Sequence, residues 1–268
     1  METSKDRITE APRAGFFSEG AFRLWVIGVV GVSLAFALQD FYPSLIGPLS
    51  NVLPAGGAGV AFASALLCLR RYGFGLRRQF EAVWFMFSLG SGLWILAELA
   101  WATYYFFLNV EVPYPSIADI FYIGGYFPML AGLVLYLRAF SVAMSRKRLS
   151  LALLAIGVAV TLAMAFVLPL ELTEGLSPLN LLTDLAYPIL DLALISLTVL
   201  ALAIFIGGAI SKWWVLFGGA SVLYVIGDEY FLYQFAAGTY YNGSFDDLLF
   251  VLGYLALALA FYAHRREF

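Results

Sequence analysis

Histidine, cysteine and charge are all scarce in this sequence. It has one His and one Cys, and charged residues make up 12% of its 268 positions. Cys68 alone closes no internal disulfide. One His and one Cys also leave out the ligand sets of zinc, haem and iron–sulfur centres. His264 sits in the basic carboxy-terminal tail, where it reads as an interfacial polar residue remote from the acidic positions discussed below. No Ser-His-Asp constellation forms around it. Lysine is missing from the apolar stretches except for Lys212 at an edge, which excludes a retinal Schiff base of the rhodopsin kind. Gly-rich phosphate loops and basic nucleic-acid patches are missing as well, so no nucleic-acid partner is expected.

What the chain has instead is apolar length. Apolar residues make up 62% of it and the mean hydropathy is +0.88, whereas soluble domains are about half apolar and a quarter charged. Eight stretches are long enough to be read as bilayer spans: 22–42, 56–70, 80–108, 118–140, 149–170, 180–209, 213–238 and 245–263. The second is short and carries Gly56, Gly57 and Gly59. The expected fold is an all-α integral membrane bundle of eight transmembrane helices, one domain over 21–268. It follows a polar cytoplasmic arm at 1–20 that has no cleavable signal pattern.

The basic residues set the orientation. With eight spans and the amino terminus inside, all 15 Lys and Arg, from Lys5 to Arg266, fall on one side. The opposite loops, 41–55, 109–117, 171–179 and 239–244, contain none. The positive-inside bias makes that side cytoplasmic and the protein a multi-pass cell-membrane protein with both termini inside. The Arg pairs 70–71 and 77–78 are expected to meet anionic membrane lipid.

Two segments match each other. Ser91-Gly-Leu-Trp94-Ile-Leu-Ala-Glu98-Leu-Ala-Trp101 aligns with Ser221-Val-Leu-Tyr224-Val-Ile-Gly-Asp228-Glu-Tyr-Phe231. After the loop, Ser116-Ile-Ala-Asp119 with Gly125-Tyr126 aligns with Ser244-Phe-Asp-Asp247 with Gly253-Tyr254. The simplest organisation is two four-helix halves, about 21–140 and 148–264, in parallel orientation about an axis along the membrane normal.

Carboxylates are concentrated opposite the basic side. Asp40, Glu98, Glu111, Asp119, Glu171, Glu174, Asp184, Asp191, Asp228, Glu229, Asp246 and Asp247 lie within spans or on the outer side. Intramembrane carboxylates face bundle interiors and are functional candidates by default. Glu111, Glu171 and Glu174 read as solvated loop charges. Ser116 with Asp119, and Ser244 with Asp247, read as capping boxes, a role compatible with ligand binding. Glu98 and Asp228 sit past the membrane middle, among Trp94, Trp101, Tyr104, Tyr224, Tyr230 and Tyr233; they either fasten helices or form a site. Asp184 and Asp191, two turns apart with Tyr187 and Pro188 between them, form a polar stripe. Tyr104, Tyr105, Tyr114, Tyr240 and Tyr241 read mainly as interface anchors.

The candidate ligand-binding set is therefore Glu98, Asp119, Asp184, Asp191, Asp228, Asp247, Trp94, Trp101, Tyr187 and Tyr224, around an outward acidic and aromatic pocket. Such a pocket suits a hard cation (Ca²⁺ or Mg²⁺), an organic amine held by charge and cation–π contacts, or a proton relay. No other cofactor is indicated. No nucleophile or metal set marks an enzyme, and a carboxylate acid–base pair is the weakest reading.

The run Trp94-x-x-x-Glu98-x-x-Trp101, followed by Pro113-Tyr114-Pro115-Ser116-Ile117-Ala118-Asp119-Ile120-Phe121-Tyr122, resembles the multi-spanning sensory regions of bacterial diguanylate cyclases, cyclic-di-GMP phosphodiesterases and some histidine kinases. Those regions carry a Gly-Asp or Gly-Glu pair in an aromatic helix, then a Pro-Ser-x-Ala-Asp-x-x-Tyr stretch. The likeness covers about 90–138 and is echoed over 218–263; Ala97 replaces the Gly of the pair, which Gly227-Asp228 retains. With Phe268 closing the sequence soon after the last apolar stretch, the resemblance implies an input module acting through a cytoplasmic signalling partner; a homo-oligomer is a further partner to consider. A cation- or proton-coupled transporter and a structural subunit of a membrane complex are the alternatives.

Overall fold

The structure, a computed structural model, describes residues 20–140, 177–208 and 211–267, with 146–147, 150, 153–154 and 156–158. The described residues are helical, with short connections and no strand. Seven helices are long and apolar enough to cross a membrane: α1 (Gly20–Ala37), α2 (Pro43–Tyr72), α3 (Gln79–Thr103), α4 (Ile117–Ala139), α5 (Pro178–Phe205), α6 (Ser211–Ala237) and α7 (Phe245–Glu267). The chain is a multi-pass helical membrane bundle. The expected span 149–170 lies almost wholly outside the described residues, as do Lys5, Arg7, Arg13, Arg148, Glu171 and Glu174.

Six helices close a ring. α2 packs on α3, α3 on α4, α4 on α5, α5 on α6, α6 on α7, and α7 returns to α2, while α1 lies outside against α7. The outward surface is apolar, with Ile27, Val60, Ile120, Phe127 and Ile189 exposed, as lipid-facing helices require. Backbone polar groups are satisfied within each helix, the condition for crossing hydrocarbon.

Local chemistry explains the helix starts. Ser116 caps α4 by accepting from the Ala118 N–H at 3.2 Å, while Asp119 accepts from the Ser116 N–H at 2.6 Å. The reciprocal pair satisfies donors that a helix start otherwise leaves free. Ser177 caps α5 with Pro178 at its first position, where a missing N–H is harmless. Arg70 and Arg71, Arg138, and Arg265 and Arg266 occupy last turns, favourable against the helix dipole.

Two expectations are corrected. The second apolar stretch, with its loop at 41–55, is one helix from Pro43 to Tyr72 that carries Pro48 and Pro54 internally. Prolines break helices in water, but in a membrane bundle side chains and neighbouring helices take up the disturbed backbone groups. In the turn around Pro48, Ser50 Oγ and Asn51 Nδ2 both donate to the Gly47 carbonyl, at 2.9 and 2.8 Å, so polar side chains of α2 bond its own backbone there. His264 is not interfacial: it is fully buried, with the Tyr72 hydroxyl 3.0 Å from Nε2 and the Trp84 ring centroid 4.7 Å away. α7 extends three residues past His264, which carries the imidazole into an aromatic cluster at the basic end of the ring.

Candidate functional site

At the other end of the ring, the six helices enclose a cavity. Residues from α2 (Ser50, Pro54), α3 (Trp94, Glu98, Trp101), α4 (Asp119, Tyr122, Tyr126), α5 (Tyr187), α6 (Tyr224, Asp228, Phe231, Leu232) and α7 (Asp247, Phe250, Tyr254) line it, with Tyr240 from the α6–α7 loop. The cavity volume is about 70 Å³, room for several waters or a few heavy atoms. Among the described residues, no Lys, Arg or His is in the lining, which holds the carboxylates of Glu98, Asp119, Asp228 and Asp247.

Helix packing makes this space and sets its walls. The Trp94 side chain lies directly against Gly125, where a Cβ would meet its indole ring. Tyr224 lies against Gly253 in the same way, a Cβ there falling 2.9 Å from the ring. Each glycine lets an aromatic side chain of the preceding helix lie flat across α4 or α7. Trp94 Nε1 then donates to the Tyr122 carbonyl at 3.1 Å. The Trp94 and Tyr224 rings meet across the ring of helices with centroids 5.1 Å apart.

The hydrogen bonds cross the bundle reciprocally. Tyr126 on α4 reaches Asp228 on α6 at 2.8 Å, and Tyr254 on α7 reaches Glu98 on α3 at 2.8 Å. Tyr126 and Tyr254 occupy matched positions of the two similar segments, as do Glu98 and Asp228. Each tyrosine therefore bonds the carboxylate of the other segment. Neither matched segment completes its polar contacts alone.

Of the ten sequence candidates, Glu98, Asp119, Asp228, Asp247, Trp94, Trp101, Tyr187 and Tyr224 line the cavity. Asp119 serves as both cap and wall: its Oδ2 accepts from Ser116, and its Oδ1 accepts from the Tyr187 hydroxyl at 2.7 Å. Asp247 does not form the expected box with Ser244. It accepts from the Gly243 N–H at 2.6 Å, while the Ser244 hydroxyl donates to Asp246. The shorter second loop turns at Gly243 (φ +99°), which brings a different N–H to the carboxylate. Asp246 also accepts from Gln234 Nε2 at 2.8 Å.

Asp184 and Asp191 do not line the cavity. Asp184 accepts from the Tyr114 hydroxyl at 2.6 Å in the loop before α4. Asp191 is buried below the floor and accepts from Tyr126 at 2.5 Å. The aromatic surroundings of Glu98 and Asp228 also differ from expectation. Tyr230 and Tyr233 are exposed on the outer face of α6, because their places in the helical turn point away from the ring.

Several contributors were not chosen from sequence. Tyr122, Tyr126 and Tyr254 supply hydroxyl and ring surface; the matched Gly-Tyr pairs at 125–126 and 253–254 were the signal for two of them. Of Tyr114 and Tyr240, read as interface anchors, Tyr240 lines the cavity, while Tyr114 packs on Phe231 and Phe235 beside it. Tyr240 packs on Phe231 at 5.1 Å between centroids. Burial first, then the adjacent Asp184, pushes the Tyr114 hydroxyl far above the ordinary phenol range. Burial and then the Asp247 charge do the same to Tyr240. Both phenols stay neutral donors.

The arrangement can hold a positively charged group. The carboxylates supply charge, the rings supply faces for cation–π contact, and the buried Tyr224 hydroxyl in the wall has no hydrogen-bond partner among the described residues. Among the described residues, no group of three or more His, Cys, Asp or Glu is arranged to hold a metal ion. Compared with protein-family models, with curated proteins and with solved structures, the chain matches none of them.

Proposed function

We propose that the protein is a membrane-embedded sensory or ligand-binding module whose outward cavity takes a small cation or amphiphile, the best fit being an organic ammonium ion. One observation carries this reading: a central cavity lined by four carboxylates, with rings between them and, among the described residues, no basic side chain. A divalent ion would need oxygens converging on a point, whereas an ammonium group on a short apolar body uses scattered carboxylates and ring faces together. The unpartnered Tyr224 hydroxyl supplies a further acceptor. The resemblance to sensory regions supports signalling to a cytoplasmic partner rather than catalysis.

The proposed topology is eight spans, both termini cytoplasmic, in two parallel halves. The support is geometric. α4 ends near Tyr136 and Phe140, which pack on Phe205 at the end of α5. α5 begins beside Asp184, bonded to the loop that precedes α4. The chain therefore leaves α4 at one end of the bundle and enters α5 at the other, so a further crossing, the 149–170 stretch, belongs between them. The ring order α2–α3–α4–α5–α6–α7 then repeats one three-helix sequence twice, with α1 outside α7.

The test is a thermal-shift titration of purified protein with methylammonium, butylammonium, Ca²⁺ and Mg²⁺. Stabilisation by the ammonium ions, lost in Asp228→Asn and Glu98→Gln, is expected; no stabilisation by any of them sinks the reading. A second reading, a proton-coupled transporter, is favoured by one contact set, the Asp191–Tyr126–Asp228 chain that leads from the cavity lining to buried Asp191. Proton flux into proteoliposomes driven by an ammonium gradient would support it.

A further inference from the structure

In the cavity lining, one phenol, Tyr126, serves two carboxyl groups. The Tyr126 oxygen is 2.5 Å from Asp191 Oδ1 and 2.8 Å from Asp228 Oδ2. A tyrosine hydroxyl has a single hydrogen to donate. With both aspartates ionised, one of these contacts would set a carboxylate oxygen against a phenol oxygen with no hydrogen between them. The contact works only if one carboxyl keeps its own hydrogen and donates it to the tyrosine oxygen. The set thus needs one proton more than tyrosine brings.

The surroundings keep that proton inside. Tyr126 and Asp191 are almost wholly buried, and Asp191 Oδ2 has no hydrogen-bond partner among the described residues. Among the described residues, the titratable groups acting on the set are Tyr114 in the loop before α4, Asp119 and Tyr122 on α4, Tyr187 on α5, Tyr224 and Glu229 on α6, and Asp246 on α7. None of them is a cation. A second negative charge on the set would find no compensation there.

The two carboxyls differ in access. Asp228 lines the cavity and Asp191 does not. We propose that Asp191, Tyr126 and Asp228 hold one dissociable proton in common, and that a cation arriving at Asp228 drives it onto Asp191. In that step the Asp228 O–H bond breaks and its hydrogen passes to the Tyr126 oxygen. The hydrogen that Tyr126 carried passes to Asp191 Oδ1. Net charge is unchanged, but the negative charge moves from the buried floor to the cavity wall. An entering ligand thereby recruits its own counter-ion and alters the α4–α5 contact beneath it. The second half of the proposal rests on the ligand-binding reading; the first does not.

Infrared difference spectroscopy of the full chain, with isotope-labelled aspartate, tests both halves. In ligand-free protein at neutral pH, a protonated-aspartate carbonyl band is expected, lost in Asp191→Asn and equally in Asp228→Asn. In each variant the remaining carboxylate is satisfied by the Tyr126 hydroxyl. Persistence of the band in either variant overturns the shared proton. Tyr126→Phe keeps both carboxyls and should shift the band to the frequency of an acid without a phenol partner; an unshifted band overturns the bridge. Methylammonium should move the wild-type band without abolishing it. A band unmoved while methylammonium raises the melting temperature overturns the transfer and leaves the ligand reading standing. No rise in melting temperature beside an intact band in ligand-free protein sinks the ligand reading and leaves the shared proton standing.

Discussion

The two ends of the helix ring are built from the same helices and differ in what fills the middle. At the basic end, Trp84, Trp213, Trp214, Tyr136, Phe217 and Phe261 are fully buried and pack ring on ring, with Trp213 and Trp214 centroids 4.0 Å apart and Tyr136 stacked on Trp213 at 4.7 Å. At the acidic end, rings of similar size leave a cavity, and hydroxyls and carboxylates take over the contacts. Without a hydrophobic force between helices in lipid, association depends on packing and on interhelical hydrogen bonds. The basic end uses the first and the acidic end the second. One end is filled by packed rings, and the other encloses a cavity.

Breaking the packed end should have the largest effect. Trp84→Ala removes a ring that touches Phe87, Trp213, Phe261 and His264, and truncations of this kind cost about 3–5 kcal/mol. A large fall in melting temperature in detergent is expected, with ammonium stabilisation retained in whatever protein folds. If Trp84→Ala melts like wild type, the packed rings do not hold the basic end together.

Filling the cavity end should cost less and act on binding. Gly253→Leu pushes into the Tyr224 ring, and overpacking costs about 1–3 kcal/mol. Ammonium stabilisation should vanish while the fold survives; retained stabilisation would separate Tyr224 from the site. Tyr254→Phe removes only the hydroxyl on Glu98, and such bonds in membranes contribute about 0.6 kcal/mol and at most roughly 1.7. A small drop in melting temperature, matched by Glu98→Gln and not doubled in the double variant, would confirm that the two act as a pair. The smallest effect should come from Tyr233→Phe on the exposed face of α6, within about 0.5 kcal/mol of wild type. A larger loss would mean that this face is covered.

Legibility in the sequence followed how local each feature was. The α4 start was readable, because Ser116 and Asp119 act within one turn. The matching Ser244-x-x-Asp247 pattern misled, because a loop shorter by two residues hands the carboxylate the Gly243 N–H instead. Pro48 and Pro54 hid the first half of α2, since their local meaning is to break helices and their neighbours overrule it. The tyrosines at 126 and 254 stood in the matched segments, yet no spacing rule says that each reaches the other segment's acid. Asp184 and Asp191 share a helix face, but depth and the position of α4 keep both out of the cavity.

The sequence by itself determined that the chain is a helical membrane protein, that its basic groups gather at one end, and that its acids lie within the spans or toward the other end. These follow from composition and from the high energy of bare charge in hydrocarbon. Only the tertiary structure decided which tyrosine meets which acid, that His264 is core, and that the cavity lies at the acidic end. Apart from Tyr240 with Asp247, seven positions away, those contacts join residues more than sixty positions apart. They depend on which helices become neighbours, and that is settled by how glycines and rings interlock when the ring closes.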